Sequence, residues 1–461
     1  MKQSNFEHQL EKPSARLVLP GLALFVCAGL TAWFWPGVGT WEVLQFEIQR
    51  QLPVMNDWKS PFVAYIYWLA DYGFNSTGPV LLFQQALFWL GLALLARHTL
   101  RNPIAGSIFF LIVASLPLVW TTEILLWKEA WTLSFLTLSL GAIFACINTG
   151  NPWYAVTAVI AAILLAVTRQ NAVLLAFPAF YVSAQLFATR SSWGIPGKHR
   201  LIVTLTVTLL VLVTLFVFWV INKKGIQRCH IWHHALLWDL AALSLSEGEM
   251  MVPDEFRKGG EAGSLKSIGT WFTYYNSDPL FFGQRSPLKL YGTAASPCDQ
   301  QVPLDILLEH WSDAVRTYPG AYLRHRLIYL AHLLGIPNNS RDYWGRKYYR
   351  NDSEYSSQVN QSARFERLIK SPVYKLMVSG RMLPGWLFVM VFLGSVLGLS
   401  RRRHTVTTCL WLIWLSGLAY LGSFVAIGSG AVMRYLAVYA VLGPAILAGR
   451  WSIYKNQHHL K

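Results

Sequence analysis

Charge is what this chain is shortest of. Only 13% of its 461 residues are Asp, Glu, Lys or Arg, about half the share in an average soluble domain. Acidic groups are the scarcer kind, 23 against 39 Lys and Arg. No glycine-rich nucleotide loop is evident, which argues against direct use of ATP. Neither an internal repeat nor a low-complexity tract appears. Cysteine is sparse too, with five in all. Cys27, Cys146 and Cys409 fall inside apolar runs, where a free thiol behaves as a small hydrophobe.

Apolar length takes the place of charge. Hydrophobic residues make up 54% of the chain, and runs of about 18 or more can cross a ~30 Å hydrocarbon core as a helix. The expected spans are Leu17–Trp35, Pro79–Ala96, Ile104–Trp120, Ala130–Ile147, Trp153–Val167, Val173–Ala188, Leu201–Ile221, Leu383–Leu399, Val406–Val425 and Ala431–Leu447. The fold class is therefore all-α, a polytopic bundle of about ten spans in a lipid bilayer. The first run ends in Trp33, Phe34, Trp35 and Pro36. That is no small-residue cleavage site, so the run reads as a retained anchor.

The net charge of +16 matters less than its placement. Lys and Arg favour cytoplasmic loops. Placing Lys2, Lys12 and Arg16 inside brings Arg97 and Arg101 inside by alternation. Arg190, Lys198 and Arg200 follow, then Arg401, Arg402 and Arg403, then Arg450, Lys455 and Lys461. Both termini are expected in the cytoplasm. A basic face on a soluble fold, which nucleic-acid binding would need, is not indicated; no nucleic-acid partner is expected.

Three regions follow. Residues 1–221 form an N-terminal bundle with an exported loop at 36–78. In that loop Val38, Trp41, Leu44, Ile48 and Leu52 recur at helical spacing beside Glu42, Gln45 and Gln49, which predicts a helix lying in the interface. Pro53 and Pro61 break the path, and Phe62 to Leu69 turns back toward the membrane. Residues 222–382 are polar and Tyr-rich, a mainly helical exported domain. Ala321 to Ile336 resembles a dipping helix, but Arg324, His325 and Arg326 argue against a simple span. Cys229 and Cys298 lie in this domain, in what would be an oxidising compartment, where the two can pair as a disulfide or stand as unrelated thiols. Residues 383–461 are the last spans and tail.

Ionisable groups at membrane depth cost about 2.5–3.5 kcal/mol on insertion scales and mark function by default. Here they gather at one end of the spans. Glu123, Lys128 and Glu129 occupy the exported turn T-T-E-I-L-L-W-K-E, Arg169 and Asn171 the turn T-R-Q-N, and Arg434 with Tyr435 the last. Glu42 and the stretch Asn56, Asp57, Trp58, Lys59 complete the set. Ordinary interfacial charges, each satisfied by water, are the blander account. Four cations at a bundle mouth (Lys59, Lys128, Arg169, Arg434) would hold a phosphate or pyrophosphate through charge-assisted hydrogen bonds. Glu42, with Asp57 beside it, would take a proton as general base.

These motifs resemble the GT-C superfamily of membrane glycosyltransferases. The likeness rests on Pro36-Gly37, Thr40-Trp41-Glu42, Asn56-Asp57-Trp58 and Ser60-Pro61, and is nearest to a bacterial branch with an N-D-W-H-P-like first exported loop. Trp127-Lys128-Glu129 is similar to that branch's W-K-D turn, Arg169-Gln170-Asn171 to its R-x-N turn, and Arg434-Tyr435-Leu436 to its late R-Y stretch. Glu42 and Glu129 stand where Asp is more usual, and Lys59 where His is expected. The resemblance scarcely extends into 222–381. It implies a multi-pass protein of a bacterial inner membrane, transferring a sugar from a polyprenyl-phosphate-linked donor, with inversion, to a glycan, glycolipid or protein acceptor. Glu42 and Asp57 would be catalytic. Lys59, Lys128, Arg169 and Arg434 would hold the donor phosphate, with Asn56, Trp58, Glu123, Glu129, Asn171 and Tyr435 in support. No cofactor is called for, and a divalent cation is left open.

Two other readings stand beside it: a transporter or flippase of a lipid-linked glycan, and an envelope glycan polymerase or ligase. A transporter places its polar site near the midplane, often in repeated halves, and neither is seen here. His230, His233 and His234 have helical spacing but no acidic or cysteine partner, so no metal site is expected. Tyr343 to Arg350 mixes cations with aromatics, which suits sugar stacking, anionic headgroups or a solvated face.

Overall fold

The computed structural model describes residues 13–37, 55–57, 60–100, 102–190, 199–223, 226–282, 285–291, 302–336, 384–397, 399, 405–430 and 433–458. Within these the chain is all-α, apart from one two-residue pair of parallel strands, β1 (Met55–Asn56) with β2 (Ile226–Gln227). The principal helices are α1 (Pro13–Phe34), α2 (Pro61–Phe74), α3 (Gly78–Thr99), α4 (Pro103–Ser115), α5 (Pro117–Glu123), α6 (Lys128–Thr149), α7 (Pro152–Thr168), α8 (Phe177–Arg190) and α9 (His199–Lys223). The polar segment holds α10 (His233–Glu247), α11 (Leu304–Thr317) and α12 (Pro319–Leu333). The last part holds α13 (Gly385–Gly394), α14 (Thr405–Ile427) and α15 (Tyr439–His458).

Local chemistry sets many of these boundaries. Proline opens α2, α4, α5 and α7, where its missing N–H costs nothing. Ser60, Asn102 and Asn151 each precede such a proline, and each side chain accepts a backbone N–H of the first turn. Gly150 ends α6 at φ +65°, a left-handed cap that favours glycine.

Among the described residues five helices are long and apolar enough to cross a membrane: Leu17–Phe34, Gly78–Thr99, Lys128–Thr149, Gln170–Ala188 and Val406–Ile427. Their outward faces carry Leu24, Phe25, Leu82, Phe83 and Leu418 in exposed positions, as lipid-facing surfaces do. The expected run Ile104–Trp120 is not one straight helix. It breaks at Leu116–Pro117 into α4 and α5, bent by 70°, because proline lacks the amide that would continue the ladder; taken together the pair makes a sixth candidate. Pro152–Thr168, Leu201–Val217 and Gly385–Gly394 are apolar but shorter. The expected span Leu383–Leu399 thus shrinks to the ten residues of α13. The expected span from Ala431 is replaced by a 3-10 turn, Met433–Leu436, and α15 from Tyr439 onward. The interfacial helix expected over 38–52 lies outside the described residues, whereas Phe62–Leu69 falls inside the longer helix α2.

Helices α3 and α6 are the core of the bundle and run parallel. The Ser134 hydroxyl donates to the Gln84 carbonyl at one end, and the Asn148 amide donates to the His98 carbonyl at the other. Between these points the backbones touch. A Cβ at Gly91 would lie 2.7 Å from Leu138 Cα, and one at Gly141 2.5 Å from the Gly91 carbonyl oxygen. Small residues at such a crossing let helices approach where no hydrophobic force drives them together.

Gly141→Val should therefore lower the melting temperature in detergent by several degrees, through overpacking worth about 1–3 kcal/mol. Gly29→Val, at a position with nothing within 4 Å, should leave it unchanged. Equal effects would mean that the crossing is looser than described.

Candidate functional site

The turns that carry the expected charges meet at one end of the bundle. The Thr77 hydroxyl donates to the Pro36 carbonyl at 3.0 Å, joining the foot of α3 to the end of α1. The Ser60 hydroxyl donates to the Val167 carbonyl at 3.1 Å, joining the start of α2 to the end of α7. Asn171 Nδ2 donates to Ser423 Oγ at 3.0 Å, joining the next turn to the last stretch of α14. Residues far apart in sequence thus lie together at one end of the bundle.

Arg169 is the centre of this seam. Helix α7 ends at Thr168, and Arg169 takes an extended conformation (φ −151°, ψ 128°) before the 3-10 turn Gln170–Ala176. Its Nη1 donates to Glu129 Oε1 at 2.9 Å, with both side chains largely buried, at 13% and 3% exposure. The guanidinium also lies 4.3 Å from the Tyr435 ring centroid and 4.9 Å from that of Phe424. Those two rings stack at 4.8 Å and 15°. An arginine so held has its rotamer fixed on three sides, by an ion pair and two aromatic faces. Glu129, Arg169, Asn171 and Tyr435 are therefore brought together, with Lys128 half-buried at the first position of α6.

Asp57 is held differently. Its N–H donates to the Gln227 carbonyl at 3.0 Å, extending the strand pair. Its Oδ1 accepts the Cys229 N–H at 2.6 Å. Burial raises the Asp57 carboxyl above its ordinary value, opposed by the Cys229 hydrogen bond and by the charges of His230 and Arg228. Asn56 beside it is fully buried. Cys229 is disulfide-bonded, and Cys27, Cys146 and Cys409 are not. Glu42, Trp58, Lys59, Cys298, the Arg434 side chain and the stretch 343–350 lie outside the described residues.

The turn Thr121–Trp127 is not the open loop that its charges suggest. Every residue in it is buried, Glu123 at 0% exposure. Glu123 accepts the Ser134 hydroxyl at 3.0 Å, and its carbonyl accepts the Gln84 and Gln85 amides. Gly37 lies against the Leu126 side chain of this turn. Glu123 thus belongs to the bundle interior rather than to the mouth. The histidines also depart from one helical face. Helix α10 begins at His233, His230 precedes it at φ +48°, and His234 Nε2 lies 3.2 Å from Ser277 Oγ. Among the described residues no group of three or more His, Cys, Asp or Glu is arranged to hold a metal ion.

One buried polar cluster escapes sequence reasoning. Asp239, on α10, is wholly buried; its Oδ2 pairs with Arg326 Nη2 at 2.6 Å and accepts the Trp311 indole N–H at 3.0 Å. His325 Nε2 lies 3.2 Å from Asp239 Oδ1. The available signal was a lone acid in the apolar helix A-L-L-W-D-L-A-A-L, since a buried carboxylate requires partners. The Arg324–Arg326 cations that argued against a span are explained in part by this pair. No family model, no curated protein and no solved structure matches this chain.

Two outcomes follow. Removing one member of a buried ion pair costs about 3–5 kcal/mol. Glu129→Gln and Arg169→Gln should thus each destabilise strongly, and the double variant by clearly less than their sum; additive losses would show that the pair is uncoupled. For Asp57 the raised folded pKa means that the folded state holds a proton which the unfolded chain releases near its ordinary pKa of about 4. Its contribution to stability is full below that value and falls as pH rises through the folded pKa. A melting-temperature series should show wild type losing ground to Asp57→Asn across that window, and parallel curves would contradict the raised pKa.

Proposed function

We propose that this protein is a GT-C-like glycosyltransferase, moving a sugar from a polyprenyl-phosphate-linked donor to an envelope glycan, glycolipid or protein acceptor. On this reading the chain makes ten passages, counting the bent pair α4–α5, the three shorter apolar helices and α15. Both termini are cytoplasmic in a bacterial inner membrane, and the Arg169 face is exported. The observation that carries the reading is the Glu129–Arg169–Tyr435–Phe424 seam at the end of the bundle, beside the elements that bear Asp57 and Lys128. A fixed guanidinium at a membrane face suits recognition of a lipid phosphate.

The chemistry is a displacement. Glu42 takes the proton of an acceptor hydroxyl, and that oxygen attacks the anomeric carbon. The bond from carbon to phosphate oxygen breaks on the opposite side, so configuration inverts, and the phosphate leaves with the electron pair. Arg169, Lys128, Lys59 and Arg434 meet the charge that develops on it, each contact contributing about 1.5–3 kcal/mol. Electrostatic stabilisation of a leaving group by prearranged donors is commonly the largest single catalytic effect. Asp57, with one oxygen committed to Cys229 N–H, orders the first loop against the polar domain.

A flippase would place its charged groups along a midplane path. The Arg169 seam stands instead at the helix ends, which favours transfer. Mass spectrometry of envelope glycolipids from a deletion strain, complemented with wild type or Glu42→Gln, separates the readings. A single-sugar mass loss restored by wild type alone is expected. An accumulated, unpolymerised or untransported intermediate would overturn transfer in favour of a polymerase or flippase.

A further inference from the structure

The Asp239–Arg326 pair does more than satisfy two buried charges. Arg326 is 3% exposed, and its fork spans two elements. Nη2 meets Asp239 on α10, while Nη1 donates to the Gly428 carbonyl at 2.7 Å. Gly428 follows Ile427, the last residue of α14, so the guanidinium sits where a helix leaves carbonyls without intrahelical partners and carries partial negative charge.

The next two carbonyls are held as well. The Ser429 carbonyl accepts both the Ser277 N–H at 3.0 Å and the Ser277 hydroxyl at 2.8 Å. The Gly430 carbonyl accepts the Tyr329 hydroxyl at 3.3 Å, and Asn276 forms an isolated antiparallel bridge with Gly430. Three successive carbonyls of one turn are thus gripped by three side chains of the polar domain. Gly428 has no space for a side chain, since a Cβ there would overlap the Tyr329 hydroxyl and the Phe424 carbonyl.

This turn is bracketed by the candidate site. Phe424 and Ser423 lie just before it, and Tyr435 just after. Moving the turn moves both rings that pack on Arg169.

We infer that Arg326 is a positioning residue: by joining Asp239 to the Gly428–Gly430 turn, it lets the polar domain set where Phe424 and Tyr435 hold Arg169. Arginine is required because one planar fork reaches both acceptors, whereas lysine offers a single point charge. The catalytic half of this inference rests on the proposed function; the grip itself does not.

Two readouts test the two halves separately in full-length protein in detergent. The first is disulfide formation in Ser277→Cys/Ser429→Cys, which reports whether the turn is held. The second is affinity for polyprenyl monophosphate, a donor mimic lacking sugar, read by tryptophan fluorescence. Arg326→Lys should slow cross-linking at least several-fold and weaken the phosphate about tenfold, since small misplacements at a site carry large losses. Oxidising the cysteine pair in the Arg326→Lys background should restore affinity, which a general loss of stability would not allow. Gly428→Ala, which removes no polar group, should reproduce the loss if Arg326→Lys proves poorly folded. Unchanged cross-linking in both variants overturns the grip. Slowed cross-linking with unchanged affinity overturns its link to Arg169. Wild type that binds no polyprenyl phosphate counts against the proposed donor, while cross-linking still decides the grip.

Discussion

Inside hydrocarbon a backbone amide or carbonyl has no water to bond, so regular helix must carry the chain across and irregular backbone must find partners in the protein. That constraint organises this molecule. Where helices end, at Pro36, Val167, Gly428 and Ser429, the carbonyls are taken up by Thr77, Ser60, Arg326 and Ser277. Glu123 shows the same rule inside the bundle, with its carbonyl capped by two glutamine amides. Polar side chains therefore accumulate at the helix ends because the ends need them, and the candidate site grows from that inventory. Arg169 stands at such an end, and its charge is balanced by Glu129 rather than by water.

The face-sharing of Glu129, Arg169, Asn171 and Tyr435 was legible in the sequence because it depends on counting apolar runs and alternating them. That logic needs no knowledge of neighbours. It fails where a residue's fate is decided by another element. Glu123 reads as a loop charge until Gln84, Gln85 and Ser134 are seen to bond it inside the bundle. His230 reads as part of a helix until the chain turns at φ +48° just before α10 begins. Ile104–Trp120 reads as one span, and the 70° bend at Leu116–Pro117 appears only in the structure. Asp239 and Arg326 lie 87 residues apart, and nothing local to either names the other.

The polar domain also acquires a physical role that its sequence did not display. Among the described residues, two of its contacts with the bundle run through backbone carbonyls of one turn and through β1 pairing with β2. Both contacts adjoin the candidate site, one beside Tyr435 and one at Asp57. Small rigid shifts of this segment at those contacts would move the side chains of the candidate site. Carbonyl acceptors make this tolerant of side-chain change on the turn but intolerant of bulk, as Gly428 illustrates.

Engagement with Glu129 gives Arg169 a counterion already, which on its face argues against phosphate binding. The guanidinium geometry argues otherwise. Arginine presents five N–H donors in a fixed plane, of which Nη1 bonds Glu129, with a further hydrogen bond to the Tyr435 side chain. Holding that plane between a carboxylate and two rings removes about 2 kcal/mol of rotamer freedom during folding, which is then not lost on ligand binding. Glu129 also limits net charge at the seam, so that this end of the bundle does not carry an unbalanced buried cation. An incoming phosphate would complete the coordination of an arginine whose position is already set, and the geometry that stabilises the fold would be the geometry that receives the ligand.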